Sequence, residues 1–121
     1  GRHGKLQRIE NLVDSGTPDV AYCVMGEAGW IELKHVARWP ARASTPVRLT
    51  DYTLEQATWL YDWQRAGGNA FLLVRVGREP FLFLGAEARE LYFTPAPKGQ
   101  FQLLACKRGW DDVIGHFTGD E

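Results

Sequence analysis

Very little of this sequence is given to cysteine, methionine or histidine: two, one and three residues of 121. Cys23 and Cys106 lie far apart and form no CxxC clip, so neither a metal clasp nor a disulfide framework is expected, only two buried thiols. His3, His35 and His116 lack the helical or loop spacing of a zinc site. Long apolar runs are missing as well. The longest, Ala70 to Val74 and Pro80 to Leu84, fall far short of the ~20 residues a membrane span needs, and no basic-then-apolar leader opens the chain. The expectation is a soluble, cytoplasmic protein with no membrane partner. Neither charge sign is in excess, with 14 basic and 15 acidic residues and a net charge of −1, so total charge carries no nucleic-acid signature. There is no glycine-rich phosphate loop, since Gly67-Gly68 reads as a helix cap, and no Ser/His/Asp order that suggests a nucleophile triad. No repeat, low-complexity tract or dividing linker occurs.

What is present points to one folded domain spanning residues 1–121. Apolar residues make up 45% of the chain and charged ones 24%. A chain of this length buries roughly two-thirds of its unfolded surface and needs no metal or disulfide to fold, so any metal serves function. Charge is unevenly placed. From Leu33 to Thr50 there are four basic residues, Lys34, Arg38, Arg42 and Arg48, and no acid.

Leu6, Ile9, Leu12 and Val13 follow helical spacing, and Ser15-Gly16-Thr17-Pro18 ends that helix, which carries Glu10. Asp19 to Met25 and Trp30 to Val36 read as strands joined by a Gly26 to Gly29 turn, with near-continuous apolarity that implies cover on both faces. Ala37 to Thr50 reads as a long loop, a length that signals either binding or disorder. Thr53 or Asp51 caps a helix from Leu54 to Ala66, with Leu54, Ala57, Leu60 and Tyr61 on one stripe. A strand at Ala70 to Val76 follows, and a helix between two strands is the pattern of a crossover, so this strand is expected parallel to Trp30 to Val36. Beyond Gly77 the sequence suggests a strand at Pro80 to Leu84, a helical turn at Ala86 to Tyr92, a strand at Phe101 to Cys106 and an amphipathic stretch at Trp110 to Phe117. The fold class is α/β, a mixed central sheet flanked by helices.

Glu32 and Lys34 are two apart on a strand and share a face, and the hairpin brings Asp19 to the same sheet end. Glu10 adds a third carboxylate. Three carboxylates within about 5 Å repel by roughly 3 kcal/mol per pair at an effective dielectric near 20, so a neutralising partner is required. An all-oxygen set matches Mg²⁺ or Mn²⁺, which take further oxygens from substrate phosphate and acidify bound water. Lys34 then either acts on that water or holds the attacked phosphate. A Glu-x-Lys pair on a strand is by itself most often a solvent-facing ion pair. Here Trp30, Ile31, Leu33 and Val36 make the strand an interior one, where unpaired charge is costly.

Gly16-Thr17-Pro18-Asp19 followed by Trp30-Ile31-Glu32-Leu33-Lys34 resembles the PD-(D/E)XK nuclease superfamily. Glu10 in Arg8-Ile9-Glu10-Asn11 matches the helical glutamate of many members. Gln56, then Ala66-Gly67-Gly68 and the Phe71 to Val76 strand, are similar to the branch holding archaeal Holliday-junction resolvases and the small VRR-NUC nucleases of phages. The match covers residues 8 to 76, with 77 to 121 a C-terminal extension. The resemblance implies a restriction-endonuclease-like core that cleaves DNA with Mg²⁺ or Mn²⁺. It implies that Asp19, Glu32 and the Leu33 carbonyl ligate the metal, that Glu10 does so directly or through water, that Lys34 positions the attacking water, and that Gln56 orients Lys34 or a phosphate. Superfamily cores usually have a strand between the first helix and Pro-Asp. Only Asp14 to Thr17 lies there, so the sheet edge is expected from later segments or another subunit.

Arg38, Trp39, Arg42 and Arg48 make the long loop a candidate DNA clamp, with arginines for phosphates and an indole for an unpaired base, against the alternative of a solvated loop. Arg8, with Arg2, His3 and Lys5, extends that cationic surface. Trp59 and Trp63 share a helix face and are expected to pack in the core or at a dimer contact. The aromatic excess predicts a homodimer. Junction, flap, single-strand and duplex substrates stay open, as does a non-catalytic nucleic-acid-binding or assembly module on the same fold.

Overall fold

The computed structural model describes residues 4–8 and 16–119. Its elements are β1 (Gly4–Arg8), β2 (Val20–Val24), β3 (Glu27–Val36), α1 (Leu54–Arg65), β4 (Asn69–Val76), β5 (Glu79–Leu84), α2 (Gly85–Phe93), α3 (Lys98–Leu104), β6 (Lys107–Arg108) and α4 (Trp110–Thr118). The strands form one mixed sheet in the order β1-β2-β3-β4-β5-β6. β3 and β4 run parallel with α1 as their crossover, and the other neighbouring pairs are antiparallel. The protein is thus a mixed α/β domain with the expected parallel pair.

Both faces of the central strands are covered, which is why β4 and β5 read as near-continuous apolar runs. On one face Leu72, Val74, Phe81 and Phe83 pack with Leu60, Ala88, Leu91 and Phe101 from the helices. On the other, Tyr22, Ile31, Phe71 and Leu82 pack beneath Val113 of α4. Thr53 caps α1 through a capping box with Gln56. Ala57 and Leu60 of the expected stripe are buried, Tyr61 is half-buried and Leu54 is exposed.

Three local expectations are corrected. The N-terminal helix does not begin at Leu6: Gly4–Arg8 is an edge strand, antiparallel to β2, and residues 9–15, including Glu10, lie outside the described residues. The sheet edge therefore comes from the preceding segment. A five-residue edge strand with one apolar side chain gives no alternation to read. The hairpin turn is Met25-Gly26, both at positive φ (54° and 81°), the two-residue geometry that matches strand twist. Gly29 instead lies within β3, where a Cβ would collide with the Tyr22 hydroxyl and Asn69. Finally, the Phe101 to Cys106 segment is mostly helix α3. Phe101 and Leu104, three apart, both face the core, so the period is helical.

The long loop is exposed over much of its length but pinned at Val47. Val47 is buried and its N–H donates to the Ala96 carbonyl at 2.8 Å, and Pro46 bridges Pro97. Among the described residues no helix is long and apolar enough to cross a membrane.

Candidate active site

The β2–β3 register pairs Val20 with Ile31, so Asp19, one residue beyond β2, stands level with Glu32. The Leu33 N–H donates to Asp19 Oδ2 at 3.0 Å. This bond fixes the aspartate beside Glu32, and the leucine's N–H is the group engaged with Asp19. The Glu32 carboxylate is only 1% exposed and its Oε1 has no hydrogen-bond partner among the described residues. Lys34 Nζ lies 3.6 Å from Glu32 Oε2. The same ammonium donates to the Asp51 carbonyl at 2.6 Å and sits 5.9 Å from the centroid of the Tyr52 ring. Asp51 holds φ 59°, a left-handed conformation that aspartate tolerates better than most residues. Tyr52 is anchored by donating its hydroxyl to the Ala88 carbonyl at 2.6 Å.

Burial raises Glu32 most, and the hydrogen bond and charge of Asp19 add to it against the opposing pull of Lys34. The Glu32 carboxyl is thereby pushed up to about 8 from an ordinary 4.5. Burial, reinforced by Glu32, also drives the Tyr52 phenol above its usual range. One ammonium does not balance two adjoining carboxylates. Without a further cation Glu32 keeps its proton at neutral pH, so the folded state binds a proton the unfolded chain has released. Metal-free protein is therefore expected to lose stability as pH rises from about 4.5 to about 8. Urea unfolding across that window checks this, and in Glu32→Gln the slope should be largely removed.

Among the described residues no group of three or more His, Cys, Asp or Glu side chains is placed to hold a metal. The carboxylate pair alone still fits a hard divalent cation such as Mg²⁺, which commonly binds through one or two carboxylates and keeps its waters. The buried, unpartnered Glu32 oxygen is the observation that favours this fit.

The structure brings together Asp19, Glu32, Lys34 and the Leu33 backbone. Gln56 is engaged elsewhere: its Oε1 accepts from the Thr53 N–H at 3.0 Å in the helix cap, and the Lys34 contacts are with Glu32 and Asp51. Arg38, Arg42 and Arg48 are exposed on the loop beyond β3, and Arg8 closes β1. Trp39 is half-buried, edge-on to Phe81 and Phe101, with Lys98 above its ring. Its indole is committed to the core. Sequence reasoning missed the Asp51 carbonyl and the Tyr52 ring as partners of Lys34, because a backbone acceptor leaves no compositional trace. No family model matches the chain, and no curated protein matches it.

Proposed function

We propose that this protein is a Mg²⁺- or Mn²⁺-dependent endodeoxyribonuclease hydrolysing phosphodiester bonds in structured or branched DNA. The observation that carries the reading is the buried Glu32 carboxylate, with one oxygen unpartnered, held against Asp19 and beside Lys34. Asp19 and Glu32 would hold the cation, together with the Leu33 carbonyl. When bound, it supplies charge stabilisation at the scissile phosphate and acidifies a water. Lys34, fixed by Asp51, offers its remaining hydrogen-bond capacity to a phosphate oxygen or to the attacking water. The Tyr52 ring, 5.9 Å from the Lys34 ammonium, lines the lysine side of the site. The exposed arginines 38, 42 and 48 would follow the DNA backbone past the site. An intracellular setting suits the two free thiols, Cys23 and Cys106, which are exposed rather than buried as expected.

The test is Mn²⁺-dependent nicking of DNA by the wild type and by carboxylate variants, with thermal unfolding followed in a Mn²⁺ titration. A non-catalytic binding module predicts neither cleavage nor Mn²⁺ stabilisation, whereas an occupied site raises stability by mass action. We extend the reading to a homodimer. Leu6, Leu33, Trp110 and Ile114 remain exposed on and beside the sheet face that α4 covers, an apolar surface suited to a second copy. Light scattering should give a dimer mass, and a monomer mass at high concentration would count against it.

A further inference from the structure

We propose that Trp30, Trp59 and Trp63 form a stacking platform for unpaired bases, so that the site accepts a single-stranded DNA flank; this rests on the nuclease reading above. Trp30 and Glu32 are two residues apart on β3 and share a face, which places their backbones about 6.6 Å apart. The aromatic cluster thus adjoins the carboxylate pair directly. Trp59 and Trp63 stack on each other with ring centroids 4.8 Å apart and planes 9° from parallel, and Trp30 meets both edge-on.

Two observations separate this cluster from ordinary core. Trp63 is 43% exposed, a large indole surface left to water at the margin of the domain. Its position is also specifically accommodated. Gly68 has no left-handed φ that would demand glycine, yet a Cβ there would overlap the Trp63 indole. The glycine leaves room for that ring to lie across the chain.

The neighbouring floor suits a nucleic-acid strand. Trp30 pairs across the sheet with Ala21, and Ala21 with Gln7, while the adjacent row on the same face is Ala28, Cys23 and Lys5. Small side chains lie next to the indoles, and an exposed lysine lies at the sheet edge. Planar aromatic faces accept any base, and the exposed Lys5 at the edge of the floor matches a phosphate backbone. An apolar protein partner would leave that charge unused. Bases paired within a duplex keep their faces in the helical stack, so the platform selects unpaired ones.

The experiment measures affinities of the full chain for fluorescein-labelled oligo-dT and for a duplex of equal length, without divalent cation, so hydrolysis plays no part. Trp63→Ala should lower the single-strand to duplex affinity ratio about tenfold, and Trp63→Leu likewise, because it keeps apolar bulk without the ring. Trp63→Phe should retain most of the ratio. In the wild type, oligo-dT should quench intrinsic tryptophan fluorescence, a readout that needs no variant. A wild-type ratio in both Trp63→Ala and Trp63→Leu overturns the platform, as does the lack of quenching or of oligo-dT binding in the wild type. The nuclease reading is judged separately, by duplex nicking in Asp19→Asn and Glu32→Gln. Persistent nicking there refutes that reading and leaves the binding result standing.

Discussion

Asp19→Asn and Glu32→Gln should each reduce Mn²⁺-dependent nicking of DNA by at least about a hundredfold, the scale on which groups that stabilise transition-state charge act. Both replacements keep side-chain shape and remove a carboxyl group that would hold the cation. Asparagine still accepts from the Leu33 N–H, so the hairpin end should hold its geometry. Glutamine introduces no charge where Glu32 is buried, so the folded state should survive in both variants. DNA affinity should be spared or strengthened, since phosphates then approach one carboxylate fewer. Plasmid nicking and DNA binding, measured on the same preparations, check both halves. Undiminished cleavage by both variants would exclude hydrolysis at this site.

Phe101→Ala should cost about 3–5 kcal/mol of stability, a large part of what a domain of this size possesses. Phe101 is fully buried and packs its ring against Phe81, Phe83 and Trp39. Its removal opens a cavity where the sheet, α3 and the arginine loop meet. By contrast Leu103→Ala, two residues away on the same helix and largely exposed, should change stability by about 0.5 kcal/mol or less. Urea unfolding of the pair checks the difference. Equal small effects would mean that the segment after Gly77 is an appendage. The contacts of Phe101 instead make it part of a single core.

The most legible parts of the sequence were those whose signals are local. Thr53 reads as a cap from its position before the helix, and the structure adds Gln56, a site residue by the resemblance, as its partner in a capping box. The parallel placement of β4 beside β3 followed from the intervening helix. Strand alternation places Glu32 and Lys34 on one face, whereas the pairing of Asp19 level with Glu32 depends on the two-residue Met25-Gly26 turn, since a Gly26 to Gly29 turn would set Asp19 opposite Val36. The Phe101 helix escaped because a seven-residue segment with two apolar contacts looks much like a short strand. The surroundings of two tryptophans are hidden for a similar reason. Trp39 sits in a polar, arginine-rich loop yet packs inward, whereas Trp63 sits on a helix with a buried stripe yet is 43% exposed. Both outcomes depend on which distant segment comes to lie alongside, and short-range pattern does not contain that.

The carboxylate pair divides its origins between near and far in the chain. Asp19 and Glu32 are brought level by one hairpin closed through Met25-Gly26, so their spacing is set by fewer than twenty consecutive residues and little loop entropy opposes it. The raised pKa of Glu32 comes first from burial, with Asp19 adding to it, and its neighbour across the parallel pair is a distant one: Leu72 stands opposite Glu32 on β4. Evolution can therefore tune the acidity of Glu32 through substitutions on β4 without disturbing where the oxygens of the pair lie.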